Sequence, residues 1–174
     1  MTGSSRRSRR FALSLLGALA VAALASACAA RGSADTGTAP ANGLVTVVSV
    51  HDVARTLALL DSALLARGIA VVARVEHDVA AARVGQSLRP TRLIIAGNPA
   101  AGTPLMRAGQ SAGIDLPLRF LVWQDEAGKV NVSYNDLRRV AERHGIRDQQ
   151  ALVGRMNDAM RAVVQAATGT TATR

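Results

Sequence analysis

The chain has 174 residues, of which 49% are hydrophobic, 19% charged and only 2% aromatic, with a formal charge of +9. That length suits one domain, the hydrophobic share excludes a largely disordered chain, and so few aromatics exclude a platform for stacking single-stranded bases. The 21 basic residues are scattered rather than clustered and there is one Cys, so no nucleic-acid partner, disulfide framework, multi-cysteine zinc site or other cofactor is expected.

In chain order, the first 30 residues have the three parts of an export signal. The basic stretch Ser5 to Arg10 precedes the apolar run Phe11 to Leu24, and small residues follow up to Cys28. An apolar run of about 14 residues is short for a membrane span of about 20. Leu24-Ala25-Ser26-Ala27-Cys28 resembles a bacterial lipobox, in which the cysteine thiol, the only strong nucleophile nearby, is acylated and the chain is cut before it. Residues 1–27 then form a signal peptide and Cys28 carries the lipid. A cleaved secretory peptide with an incidental Cys and an uncleaved anchor over residues 11–30 stay open as readings. All three put the rest of the chain outside the cytoplasm. Ala29 lacks the retaining Asp of inner-membrane lipoproteins, which favours the periplasmic side of the outer membrane in a Gram-negative cell. Residues 28–43 lack large apolar side chains and read as a lipid-anchored flexible tether.

Leu44 to Val50 is a β-branched run and predicts a first strand. Asp52 can cap a helix in which Val53, Leu57, Leu60 and Leu64 share a face, closed by Gly68. In residues 69–76, Ile69, Val71, Ala73 and Val75 alternate with Ala70, Val72, Arg74 and Glu76, which predicts a second strand. Asp78 reads as the cap of a short Ala-rich helix to about Gln86, and Arg92 to Ala96 as a third strand. Thr103 before Pro104 reads as the start of another short helix, running to about Gln110. Leu118 to Asp125 and Lys129 to Tyr134 predict a hairpin, and Asn135 or Asp136 caps a helix that ends at Gly145. A final amphipathic helix follows Asp148, with Leu152, Met156, Ala159, Met160 and Val163 on one face. Adjacent antiparallel strands mixed with helices predict an α+β two-layer sandwich of about five strands, helices on one face. The expected division is an α+β domain over residues 44–147 and the amphipathic helix over 148–168.

Arg74 to Ile146 resembles the family labelled domain of unknown function 302. The matching residues are Glu76-His77-Asp78, Leu88-Arg89-Pro90-Thr91, Gly97-Asn98-Pro99, Gly102-Thr103-Pro104-Leu105-Met106, Asp115-Leu116-Pro117-Leu118, Tyr134 and Glu142-Arg143-His144-Gly145-Ile146. The resemblance implies a compact α+β domain somewhat like half of a TATA-binding-protein fold, often a homodimer, and no established reaction. It places the helix after Asp148 outside the family pattern. It also expects an aromatic residue where Ala96 stands, a departure that could open the wall of a pocket.

Between strand and helix, Gly97-Asn98-Pro99-Ala100-Ala101-Gly102-Thr103 has the glycine spacing of a phosphate-binding loop but no Lys before Thr103, so nucleotide hydrolysis is not expected. Backbone N–H groups at Gly97, Gly102 and Thr103 could still hold a small anion, although a plain turn accounts for the same residues. His77, Asn98 and Asp115 are expected to converge at neighbouring loop ends and line a polar pocket. Structural roles for His77 and for His144, in a last helical turn, are the plainer reading. The functional expectation is an exported, lipid-anchored envelope protein, non-catalytic, binding a small polar or anionic ligand or a protein. The alternatives are an envelope hydrolase or transferase using His77 and Asp115 as acid–base residues, and a lipoprotein whose final helix docks on an envelope protein. A homodimer is expected through an exposed strand edge or the Met156/Met160 face.

Overall fold

A computed structural model describes residues 42–170. The expected signal peptide, Cys28 and nearly all of the tether lie outside the described residues.

The elements are β1 (Leu44–Ser49), α1 (Val53–Leu65), β2 (Ala70–Glu76), α2 (His77–Arg83), β3 (Thr91–Gly97), α3 (Pro99–Ala108), a 3-10 turn (Gln110–Ile114), β4 (Leu118–Gln124), β5 (Val130–Asn135), α4 (Leu137–Arg143) and α5 (Gln150–Thr168). The five strands form one sheet in the order β1-β5-β4-β3-β2, antiparallel throughout. This is the α+β architecture the strand and helix pattern predicts. The local signals are physical ones. Asp52 accepts a hydrogen bond from the Arg55 N–H at 2.7 Å, satisfying one of the free donors at the start of α1. Gly68 takes φ +63° beyond the end of that helix, a conformation costly for other residues, and turns the chain into β2.

One face of the sheet is the core. Phe120 and Val122 of β4, Val132 and Tyr134 of β5 and Ile94 of β3 are buried against Leu60 and Leu64 of α1 and Val153, Met160, Val163 and Val164 of α5. Phe120 and Tyr134 oppose each other across β4 and β5, their ring centroids 6.2 Å apart. Each such side chain contributes about 1.5–3 kcal/mol by leaving water, so the small aliphatics suffice without more aromatics.

A buried polar group locks α4 to α5. Asp136 caps α4 through the Arg138 N–H at 2.8 Å and pairs with the Arg138 guanidinium at 2.6 Å. Asn157 of α5 donates to Asp136 at 2.8 Å and accepts the Leu137 N–H at 2.9 Å. Burial pushes the Asp136 carboxyl up, but the hydrogen bonds from Arg138 and Asn157 outweigh it and hold the group below the ordinary carboxylate range.

Several sequence expectations change. α5 supplies Val153, Met160, Val163 and Val164 to the same core as the sheet and α1, so residues 148–168 pack as part of the domain. Met160 is 1% exposed in that core, which leaves no Met156/Met160 surface stripe. β2 is an edge strand with all seven residues exposed, because alternation reports a side chain's face and not whether a second layer covers it. α2 begins two residues earlier than expected, with Glu76 rather than Asp78 at the cap position. Asp78 lies in its first turn, where its side chain is taken by Arg92 rather than by a cap.

Candidate functional site

A cavity of about 550 Å³ opens at the end of the sheet where β2 begins and β3 ends. Its walls are Ile69, Ala70 and Val72 of the β2 segment, Ala101, Gly102 and Met106 of α3, Leu116, Pro117 and Leu118 entering β4, and Leu152, Met156 and Ala159 of α5. Arg67 and Arg155 also line it, and both are exposed, which puts them at its mouth. That volume lies within the range of small-molecule sites, and apolar walls with few polar groups are what such sites share.

The wall on α3 exists because the helix starts early. Asn98 is its N-cap, accepting the Ala100 N–H at 2.9 Å, and Pro99 takes the first helical position. The Ala101 and Gly102 N–H groups both bond to the Asn98 carbonyl at 3.0 Å. The expected phosphate-loop-like turn is therefore the first turns of a helix, and those donors are not open to an anion. Thr103 is not a cap, and Pro104 sits inside α3. The Asn-Pro pair was the stronger start signal in the sequence, and Thr-Pro five residues later mimicked it.

Of the expected site residues, Gly97, Asn98, Gly102 and Thr103 line the cavity, and His77 and Asp115 do not. The Asn98 side chain is spent on its own cap and on the Gly68 carbonyl, at 3.3 Å. Gly97 packs on Pro117, where an added Cβ would lie 3.0 Å from the proline Cβ. Gly102 has more room, its Cβ position 3.8 Å from Leu116 Cδ1. Ala96 is fully buried and no part of the lining, so its small side chain opens no wall.

The expected convergence of His77, Asn98 and Asp115 does not form. In the β2–β3 register Glu76 faces Arg92 and Ala70 faces Gly97, so His77 follows one end of the pair and Asn98 the other. Seven-residue strands at about 3.3 Å per residue separate them by roughly 20 Å. His77 is exposed between Glu76 and Asp78, which both pair with Arg92. Burial pushes the Asp78 carboxyl up, and the Arg92 guanidinium more than reverses this.

Asp115 instead meets His144. Its Oδ2 lies 2.8 Å from His144 Nε2, and His144 Nδ1 lies 2.8 Å from Ser111 Oγ. Arg143 also donates to Asp115 at 3.1 Å. With Nε2–H given to the carboxylate, Nδ1 is left to accept from Ser111. The acid–base pair expected of His77 and Asp115 is thus replaced by a chain that joins the 3-10 turn to the C-terminus of α4. None of its three residues lines the cavity. Ser111 and His144 are 33 positions apart in the chain, and no spacing rule connects them. Among the described residues no group of three or more His, Cys, Asp or Glu could hold a metal ion, and no helix is long and apolar enough to cross a membrane.

Over 105 residues the chain is similar to the fluoride-specific ion channel FluC 1 of Brucella suis biovar 1 (strain 1330), at 44% identity. Those residues are 60% of this chain and 41% of that protein. FluC 2 of Brucella melitensis biotype 1 matches at the same identity, over 39% of its length. The chain spans about two-fifths of the length of these curated relatives. Among solved structures, that of an uncharacterized conserved protein DUF302 from Bacillus stearothermophilus superposes with a TM-score of 0.67. It covers 72% of this chain and 98% of that one at 14% identity, a likeness of fold. The profile of the family described as domain of unknown function DUF302 matches residues 45–166, which takes in most of α5, beyond the Ile146 limit drawn from motifs. The chain is a member of the DUF302 family.

Proposed function

We propose that this chain is an exported, lipid-anchored binding module of the cell envelope, without catalysis of its own, that takes a small molecule into the cavity between β2, α3 and α5. The observation that carries the binding role is the cavity itself: about 550 Å³, walled by apolar side chains from four separate segments. A fold packed this tightly elsewhere has no stability reason to leave such a space. The export signal before Cys28 and the small, polar residues after it support the address. The apolar walls favour an apolar or amphipathic ligand over the small polar one that the sequence suggests. The exposed edge of β2 supports self-association, which light scattering on the full chain would register as a dimer mass.

Decanol titrated into the full chain by calorimetry tests the binding role. It should bind the unaltered chain and fail to bind Ala159→Trp, whose indole fills the cavity from a half-buried position on α5, with the melting temperature kept within a few degrees. Equal binding by both proteins, or by neither, contradicts the reading. For the anchor, Cys28→Ser should release the chain from membranes, and an unmodified mature N-terminus at any other residue contradicts acylation.

The 44% identity to fluoride channels favours a second reading, in which this domain works beside a channel for that ion. Loss of the chain should then change growth on fluoride, and unchanged growth contradicts it.

A further inference from the structure

We infer that the ligand is an amphipathic anion, an apolar chain ending in a carboxylate or similar monoanion, with its charged end at the mouth; this rests on the cavity being a ligand site. Leu116, Leu152 and Met156 present hydrocarbon and a thioether, which reward an apolar body and offer it no strong hydrogen bond. The only charged residues lining the cavity are Arg67 and Arg155, both positive, and no Asp or Glu lines it. Neither arginine forms an ion pair with a described carboxylate, whereas Arg74, Arg92, Arg119, Arg138, Arg139 and Arg143 all do. Arg67 has only the Ala63 carbonyl, at 3.2 Å. The cavity thus joins two arginines without a carboxylate partner to mainly apolar walls. An anion there makes charge-assisted hydrogen bonds that a neutral or cationic end cannot make.

The test compares three ten-carbon probes of one shape, decanoate, decanol and decylammonium, each below its micelle-forming concentration. They are titrated by calorimetry into the full chain carrying Cys28→Ser, so that no acyl group of its own competes. Because both arginines are exposed, the expected preference is modest: decanoate binds roughly tenfold tighter than decanol. Decylammonium binds more weakly than either. Arg67→Gln with Arg155→Gln, both at exposed positions that tolerate substitution, should erase the decanoate advantage over decanol. High salt should shrink the advantage in the unaltered chain. Equal binding of decanoate and decanol overturns this inference and leaves the site standing, and so does an advantage that survives the double substitution. Binding of none of the three overturns the site and the inference together.

Discussion

Helix α5 serves two regions of the molecule that are built in opposite ways. Along one stripe Val153, Asn157, Met160, Val164 and Ala167 are buried, and the polar member, Asn157, has both ends of its amide bonded. Along the neighbouring stripe Leu152, Met156 and Ala159 are half-buried and border the cavity. The seam with α4 is closed, with its polar groups matched. The face that borders the cavity is apolar and only partly covered. One helix, read by periodicity alone, presents these as a single amphipathic face. The difference between them separates what holds the domain together from what it offers to a ligand.

The largest effect expected from that difference is on stability. Asn157→Ala strips the Leu137 N–H and the buried Asp136 carboxylate of a partner each and should cost about 3 kcal/mol in urea unfolding. Met156→Ala, one residue away, removes a half-buried side chain at a space already empty and should cost less than about 1.5 kcal/mol. Equal losses would erase the distinction between the two stripes.

Acid should weaken the closed seam next. The folded Asp136 carboxyl titrates below its ordinary value, as does that of Asp78. Each contributes stability that is fully present above the unfolded value of about 3.9 and is lost as the pH falls through the lower folded value. The melting temperature should therefore drop below about pH 4. The gap between the unaltered chain and Asp136→Asn should be widest above that range and narrow in acid. A gap that widens in acid contradicts the ion pair's role.

A smaller and opposite effect is expected at the cavity. Gly102 lies inside α3 with ordinary contact distance to Leu116, so Gly102→Ala should raise stability by up to about 1 kcal/mol through helix propensity. The added methyl takes up cavity space and should weaken decanol binding. A more stable variant with unweakened binding would place the ligand elsewhere.

Much of the fold was legible because its signals are local. Asp52 before Val53, Gly68 after α1 and the Glu126–Gly128 turn each act over a few residues, and the structure uses them as read. The site was less legible because it is made of distances between segments. Met106, Leu116 and Leu152 meet only after the sheet order is set, and nothing in their spacing announces it. His77 and Asn98 sit in equally suggestive motifs yet end up at opposite ends of β2 and β3, since a motif carries no information about strand polarity. The pairing of Asp115 with His144 was hidden for the same reason.

The chain's four methionines make the central claim directly measurable: Met106 and Met156 line the cavity, Met160 is buried in the core and Met1 lies outside the described residues. In a methyl-labelled NMR titration of the full chain with decanoate, the Met106 and Met156 signals should shift together and saturate at one concentration, with Met160 unmoved. Saturable binding that moves Met160 alone, or moves none of the three, would contradict a ligand site at this cavity.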